Sequence, residues 1–336
     1  MVPGLRSGGY ETTSTMKFFR DLHKNIFLEK FVYQVLICIS IMVMSLATCG
    51  CSSSSWYSKF NWKAEDYFDD PKVIALCKAI QEKDIAKIDK LVADGADVNA
   101  KGKGNMTPLL WAFPENKPEV FKRILEFGGD PNIEVTSDFN TKNQGIRQGD
   151  SVLHLAAGTA FPDYFKYVMQ HGGNPNLIRG NKYKDSPLIT VVSGNSPNKQ
   201  ESVQILIDKG ADINYVNLAD ETALLMAASW GGQFDIAIQL LEAGASFNLY
   251  MESSGTFVHF ILKNKKFTKQ RYSEKQSRDY DAIIKILESK GADLVGAEKD
   301  NAVWIGGGRV SPKRIQELKK RYADELEAKQ KAKEQE

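Results

Sequence analysis

The 336-residue sequence predicts an all-α solenoid of about six helix-turn-helix repeats with finger loops, closed by a C-terminal helix. Three observations lead there. A turn signature, "GADVN" at residues 95–99, returns as "GGDPN" at 128, "GGNPN" at 172, "GADIN" at 210, "GASFN" at 244 and, decayed, "GADLV" at 291. Between successive turns sits a helix opening: "TPLLWA" from Thr107, "SVLHLAA" from Ser151, "SPLITVV" from Ser186, "TALLMAA" from Thr222 and "TFVHFIL" from Thr256. The turn glycines lie 33, 44, 38, 34 and 47 residues apart, so the unit is about 33 residues and the longer spacings hold insertions. A fixed period with interleaved signals marks stacked units, because one such unit cannot bury its own apolar face.

The elements follow in order. "DDPKVIALCKAIQEKDIAKIDKLV" (69–92) keeps a helical apolar stripe without the Thr-Pro opening, and Asp70 precedes Pro71 as a cap; it reads as an atypical N-terminal capping repeat. In the later repeats Ser or Thr caps the first helix, and Pro108 and Pro187 take the first helical position, where a missing N–H costs nothing. Second helices such as "ESVQILIDKG" and "DAIIKILESKG" space apolar residues three and four apart. Glycine ends each of them, since a left-handed cap is cheap only without a Cβ. The C-terminal "SPKRIQELKKRYADELEAKQKAKEQE" opens on a Ser-Pro cap and places Ile315, Leu318, Tyr322 and Leu326 on one face, which closes the last repeat. From about residue 328 the chain is polar and charged, which predicts a frayed end. The array thus spans 71–295, preceded by an aromatic-rich tether (51–70) and followed by a linker, capping helix and charged tail (296–336).

"ILIDKGADINYVNLADETALLMAA" (205–228), with its period and its Thr-Pro-Leu-His-x-Ala pattern, is similar to the ankyrin-repeat family, and the likeness runs from 71 to about 295. The resemblance implies two short antiparallel helices and an extended finger per repeat. It also implies a concave face, built of fingers and first helices, that binds proteins. His154 and His259 occupy the motif histidine, which in this family ties neighbouring turns by hydrogen bonds.

Composition changes before the array. A basic stretch (Lys17, Arg20, Lys24, Lys30) precedes an apolar run at 31–48, then cysteines, then four serines. That order resembles a bacterial lipoprotein signal over 16–50, whose cysteine is lipidated and becomes the mature N-terminus. Cys51, after the small Gly50, is the favoured lipidation site, and Cys49, with Leu46 three residues back, is the alternative. Ser52 after the cut, rather than Asp, points to outer-membrane sorting and a periplasm-facing location. The rival reading is an uncleaved anchor, since eighteen apolar residues just span a bilayer. Met16 begins a more ordinary signal than Met1, so 1–15 reads as an over-long start.

Little points to chemistry. Of four histidines, His23 lies in the signal and His171 beside a helix-ending glycine; no Cys/His cluster has zinc spacing and no hydrolase motif occurs. Cys77 alone falls in the array, so no disulfide framework exists. "WIGGGRVSPKRI" (304–315) lacks the spacing of a P-loop or dinucleotide fingerprint and reads as a flexible joint. "KAEDYFDDP" (63–71) gathers four carboxylates before a helix start, where negative charge is favoured anyway. A formal charge of +2 gives no ground for nucleic-acid binding. No cofactor and no metal are expected.

What remains is surface. The residue after the motif histidine is Trp111, Leu155, Thr190, Met226 and Phe260 in turn, and Phe161 and Trp230 lie at nearby helix ends. Aromatics there suit binding hot spots; the alternative is that they pack between repeats. One insertion extends a finger over 133–150, around Phe139. Another, 263–280, is expected to be a solvated loop, and its Lys265, Lys266 and Arg271 suit an acidic partner or anionic head groups. The tether aromatics, from Trp56 to Phe68, are expected to fold back on the capping repeat. Together these features predict a monomeric, non-enzymatic binding protein, lipid-tethered in the bacterial envelope and gripping a protein partner. One specific version is an immunity protein for a secreted toxin; the alternatives are an envelope scaffold without a toxin, or an enzyme accessory using Gly306–Gly308.

Overall fold

The computed structural model describes residues 56–333 except 140–144, 162, 230–231, 253, 269–271 and 307. The signal segment with Cys49 and Cys51, together with Trp230 and Arg271, lies outside the described residues. A short helix α1 (Trp56–Lys59) opens the described chain. Six helix pairs follow: α2 (Pro71–Glu82) with α3 (Ile85–Ala93), α4 (Pro108–Ala112) with α5 (Pro118–Glu126), α6 (Val152–Gly158) with α7 (Tyr164–Gln170), α8 (Pro187–Ser193) with α9 (Lys199–Asp208), α10 (Ala223–Ser229) with α11 (Phe234–Glu242), and α12 (Phe257–Thr268) with α13 (Glu274–Ser289). Then come α14 (Leu294–Ile305) and α15 (Pro312–Lys333). No described helix is long and apolar enough to cross a membrane.

Local chemistry sets these boundaries. The Asp70 carboxylate accepts from the Lys72 N–H at 2.8 Å and starts α2. The hydroxyls of Thr107 and Thr222 accept from the N–H three residues on, both at 3.1 Å, and Ser151 and Ser186 do the same for α6 and α8. Each second helix ends on a glycine at φ between 74° and 93°. At Gly128, Gly172, Gly210, Gly244 and Gly291 an added Cβ would meet nothing within 4 Å, so the left-handed backbone, not space, demands glycine there.

The first helices share one buried stripe. The motif leucines Leu109, Leu153, Leu188 and Leu224 are at most 1% exposed, and a single apolar core runs from Tyr57 to Ala297. Stacking neighbours closes what each pair leaves open.

Three expectations change. The basic insertion at 263–280 is mostly helix: α12 continues to Thr268, and Ser273 starts α13 with a reciprocal capping box to Gln276. The segment lacks glycine and proline, which lets helix extend into it from both sides. The stretch after the sixth turn is not a linker; Asp293 caps α14 through the Gly296 N–H at 2.8 Å, and α14 packs on α12 as the first helix of a further repeat would. Helix α15 runs to Lys333, past the point where fraying was expected.

Candidate partner-binding surface

The fingers are held side by side by two kinds of bond. An asparagine ladder links the turns: Asn99 Nδ2 donates to the Gly128 carbonyl at 2.8 Å while its Oδ1 accepts from the Asp130 N–H at 2.7 Å. Asn132 does the same for Gly172 and Asn174, and Asn176 for Gly210 and Asp212; Asn214 Oδ1 accepts from Ser246 N–H at 2.8 Å. Farther out, one backbone bond joins finger to finger: Thr136 N–H to Gly104 O (3.0 Å), Gly180 N–H to Gly149 O (2.9 Å) and Leu218 N–H to Tyr183 O (2.8 Å). A Cβ on Gly180 would lie 2.7 Å from the Gly149 Cα, so this approach requires glycine.

His154 acts as the pattern implies, whereas His259 reaches a helix side chain instead of a neighbouring turn. His154 Nε2 donates to the Leu177 carbonyl of the next finger at 3.0 Å, which leaves Nδ1 to take the Ser151 hydroxyl at 2.9 Å. Burial, helped by the Arg179 charge, pulls its pKa down to about 4, so the ring is neutral near pH 7. His259 takes the Thr256 hydroxyl at 2.7 Å and gives Nε2–H to Asp300 at 3.1 Å; burial lowers its pKa against the pull of that carboxylate. Fingers two and three are further joined by Arg179 and Asp150, whose carboxylate is 2% exposed.

Trp111 and Phe139 are not on offer to a partner. Trp111 is fully buried and Phe139 is 6% exposed, because the tether fills the space in front of them. Tyr57 and Trp62 stack on Trp111 at 5.1 and 5.5 Å between ring centres, and Trp62 and Tyr67 meet Phe139 edge-on. Tyr57 donates its hydroxyl to the Trp111 carbonyl at 2.7 Å, and the indole N–H of Trp111 reaches the Cys77 carbonyl at 3.2 Å. Lys103 N–H bonds the Tyr67 carbonyl at 2.8 Å, so the tether takes the place of a finger before the first. It therefore folds back on the second pair and the long finger as well as on the capping pair.

The remaining sites divide. Phe161 is half-buried against Phe113 and Tyr164. Phe260 is half-buried on a small cluster of Leu225, Leu249 and Met251. Lys265 and Lys266 lie on α12. Cys77 is buried, which raises its thiol pKa and keeps it unreactive. The described residues hold no His/Cys/Asp/Glu group suited to a metal ion.

Sequence reasoning missed the fingertips. Tyr183 is 40% and Leu218 74% exposed on adjacent fingers, joined by the bond just described. The signal was present: each is the one large apolar residue in an otherwise polar tip, "NKYKD" and "NLADE".

The family model described as ankyrin repeats (3 copies) matches residues 153–251. An ankyrin repeat protein of Acanthamoeba polyphaga mimivirus is 44% identical over 64 residues, 19% of this chain and 39% of that one. Rabankyrin-5 of Mus musculus is 24% identical over 181 residues, 52% of this chain and 13% of its own. The chain thus spans well under half the length of these relatives. Among solved structures, an ankyrin repeat domain from Acinetobacter baumannii is 24% identical at a TM-score of 0.48, covering 65% of this chain and 98% of that one. The ankyrin repeat domain of Bcl-3 is 20% identical at 0.46, covering 65% and 86%. Residues 153–251 thus match ankyrin repeats, and the turn-to-turn bonding of those repeats continues before them, back to Asn99.

Proposed function

We propose that the protein is a non-enzymatic protein-binding module, held by an N-terminal lipid in the bacterial cell envelope, and that its partner is a protein such as a secreted toxin that it neutralises. The observation that carries the binding reading is the pair of large apolar side chains, Tyr183 and Leu218, exposed on neighbouring tips of a rigidly bonded finger row. Loops on a fixed scaffold are where binding residues concentrate, and few residues dominate such contacts. The envelope reading is supported by the order of basic stretch, apolar run and cysteine. Acylation at Cys51 would put the folded array, from Trp56, within five residues of the lipid. The toxin-neutralising version is an analogy: a rigid binding array held at the envelope is placed to meet a secreted protein there.

A photo-crosslinking residue at position 218, used in cells and followed by mass spectrometry, tests it. One abundant protein captured there and absent with Leu218→Asp is the expected result. With that partner in hand, Leu218→Asp combined with Tyr183→Ala should weaken the complex by more than about 1 kcal/mol while leaving the melting point unchanged. Charge reversal at Lys265, Lys266 and Arg271 should instead slow capture and flatten its salt dependence. Alkyne fatty-acid labelling should tag the wild type and miss Cys51→Ser; tagging lost only with Cys49→Ser moves the lipid to that cysteine.

A further inference from the structure

The asparagine ladder ends differently from how it runs. Asn248 is the fifth turn asparagine, but the sixth turn leads straight into α14 and builds no finger for it to bond. Its Nδ2 donates instead to the Glu325 carboxylate of α15 at 3.0 Å, and the Ser246 hydroxyl reaches the same oxygen at 3.3 Å. One turn earlier on the helix, Tyr322 packs onto Leu225, Leu249 and Met251. One turn earlier again, Lys319 reaches Glu252 at 2.8 Å and lies 5.4 Å from the Tyr250 ring. Residues 319, 322 and 325 share one helix face, so α15 lies along the fifth finger from tip to base.

We propose that this groove is a helix-receiving site, which α15 from Lys319 on fills in cis and vacates for an amphipathic helix of a partner protein. The incoming helix would carry a basic residue, a bulky apolar residue three positions on and a carboxylate three beyond that, matching Lys319, Tyr322 and Glu325. The inference rests on the protein-binding reading above. Three features make α15 exchangeable. From Lys319 on, its described contacts are the Tyr322 ring, the Glu325 carboxylate and two exposed ion pairs, Lys319 with Glu252 (52% and 75%) and Arg321 with Asp293 at 3.8 Å, and exposed pairs hold weakly in water. The segment before Lys319 is better fixed: Arg314 bridges Asp293 and Asp300, both at 3.0 Å, with Asp300 only 13% exposed, and Leu318 is buried. The patch under Tyr322 is a cluster separate from the main core, so opening it leaves the repeat stack closed. Leucine and methionine in that patch suit a surface that accepts more than one helix.

The test uses the full chain and a fluorescein-labelled peptide of residues 311–336, followed by anisotropy. Wild type, already filled in cis, should bind the peptide weakly. The full-chain variant Tyr322→Ala with Glu325→Ala should bind it at least tenfold more tightly, and a peptide carrying the same two changes should not bind. Equal affinity of variant and wild type overturns the proposal. Hydrogen exchange of the variant decides the rest: faster exchange limited to α15 supports an exchangeable helix, whereas lost protection throughout α10–α13 shows α15 to be a structural cap and overturns it. The peptide result does not depend on capture at position 218, so a tight peptide with no captured partner leaves the groove standing and removes the proposed function.

Discussion

At the scale of single residues, burial decides which side chains support the fold and which are left for binding. Trp111 was expected to face a partner, yet it is fully buried beneath Tyr57 and Trp62. Trp111→Ala should therefore cost about 3–5 kcal/mol of stability as a large-to-small core change, read by urea unfolding. His154 makes a pH-dependent contribution. Its folded pKa, about 4, lies below the ordinary histidine value, so on acidification the unfolded chain takes up the proton first. That contribution is complete above about pH 6.5 and is lost as the pH falls to about 4, a change of roughly 3 kcal/mol. Unfolding at pH 7 and 4.5 should show a smaller drop for His154→Gln than for wild type; equal drops would mean that the ring protonates without opening its two bonds.

At the scale of elements, the fingers depend on their neighbours more than on themselves. Asn176 makes two bonds to the following turn, at 3.0 and 2.7 Å. Asn176→Ala should cost about 1–3 kcal/mol, the worth of two net hydrogen bonds, and speed amide exchange at residues 210–214 first. Uniform acceleration across the chain would contradict that local role. The tether behaves as an element of the array: Trp62 is 4% exposed and contacts Trp111, Tyr57, Tyr67 and Phe139. Trp62→Ala should loosen α2–α5 and the long finger together and leave α10–α13 protected in hydrogen exchange.

At the scale of the whole molecule, each pair contacts its neighbours along one continuous core, so stability should sum over pairs and interfaces. Leu224, 1% exposed in the fourth repeat after the capping pair, tests this. Leu224→Ala should cost about 2–5 kcal/mol and broaden the thermal transition, with protection lost first in α8–α12. Loss spreading evenly to α2–α5 would indicate a single cooperative unit instead. Both ends of the finger row are closed by segments outside the repeats, the tether at one side and α15 at the other.

The period, the six turns, the caps and the His154 bond were legible in the sequence because each rests on forces acting within a few residues or at a fixed spacing. A glycine at positive φ, a threonine or serine at the helix start and an apolar residue two positions on recur from one copy to the next. The rest lay beyond any period. Tyr57 meets Trp111 across 54 residues and Glu325 meets Asn248 across 77, and no repeat predicts either contact. Those contacts, made only when the stack exists, buried Trp111 and Phe139, turned the tether into a finger and laid α15 over Leu225, Leu249 and Met251. Local sequence thus determined the repeating unit, and tertiary packing decided which faces of the array stayed open, because exposure depends on what distant segments cover.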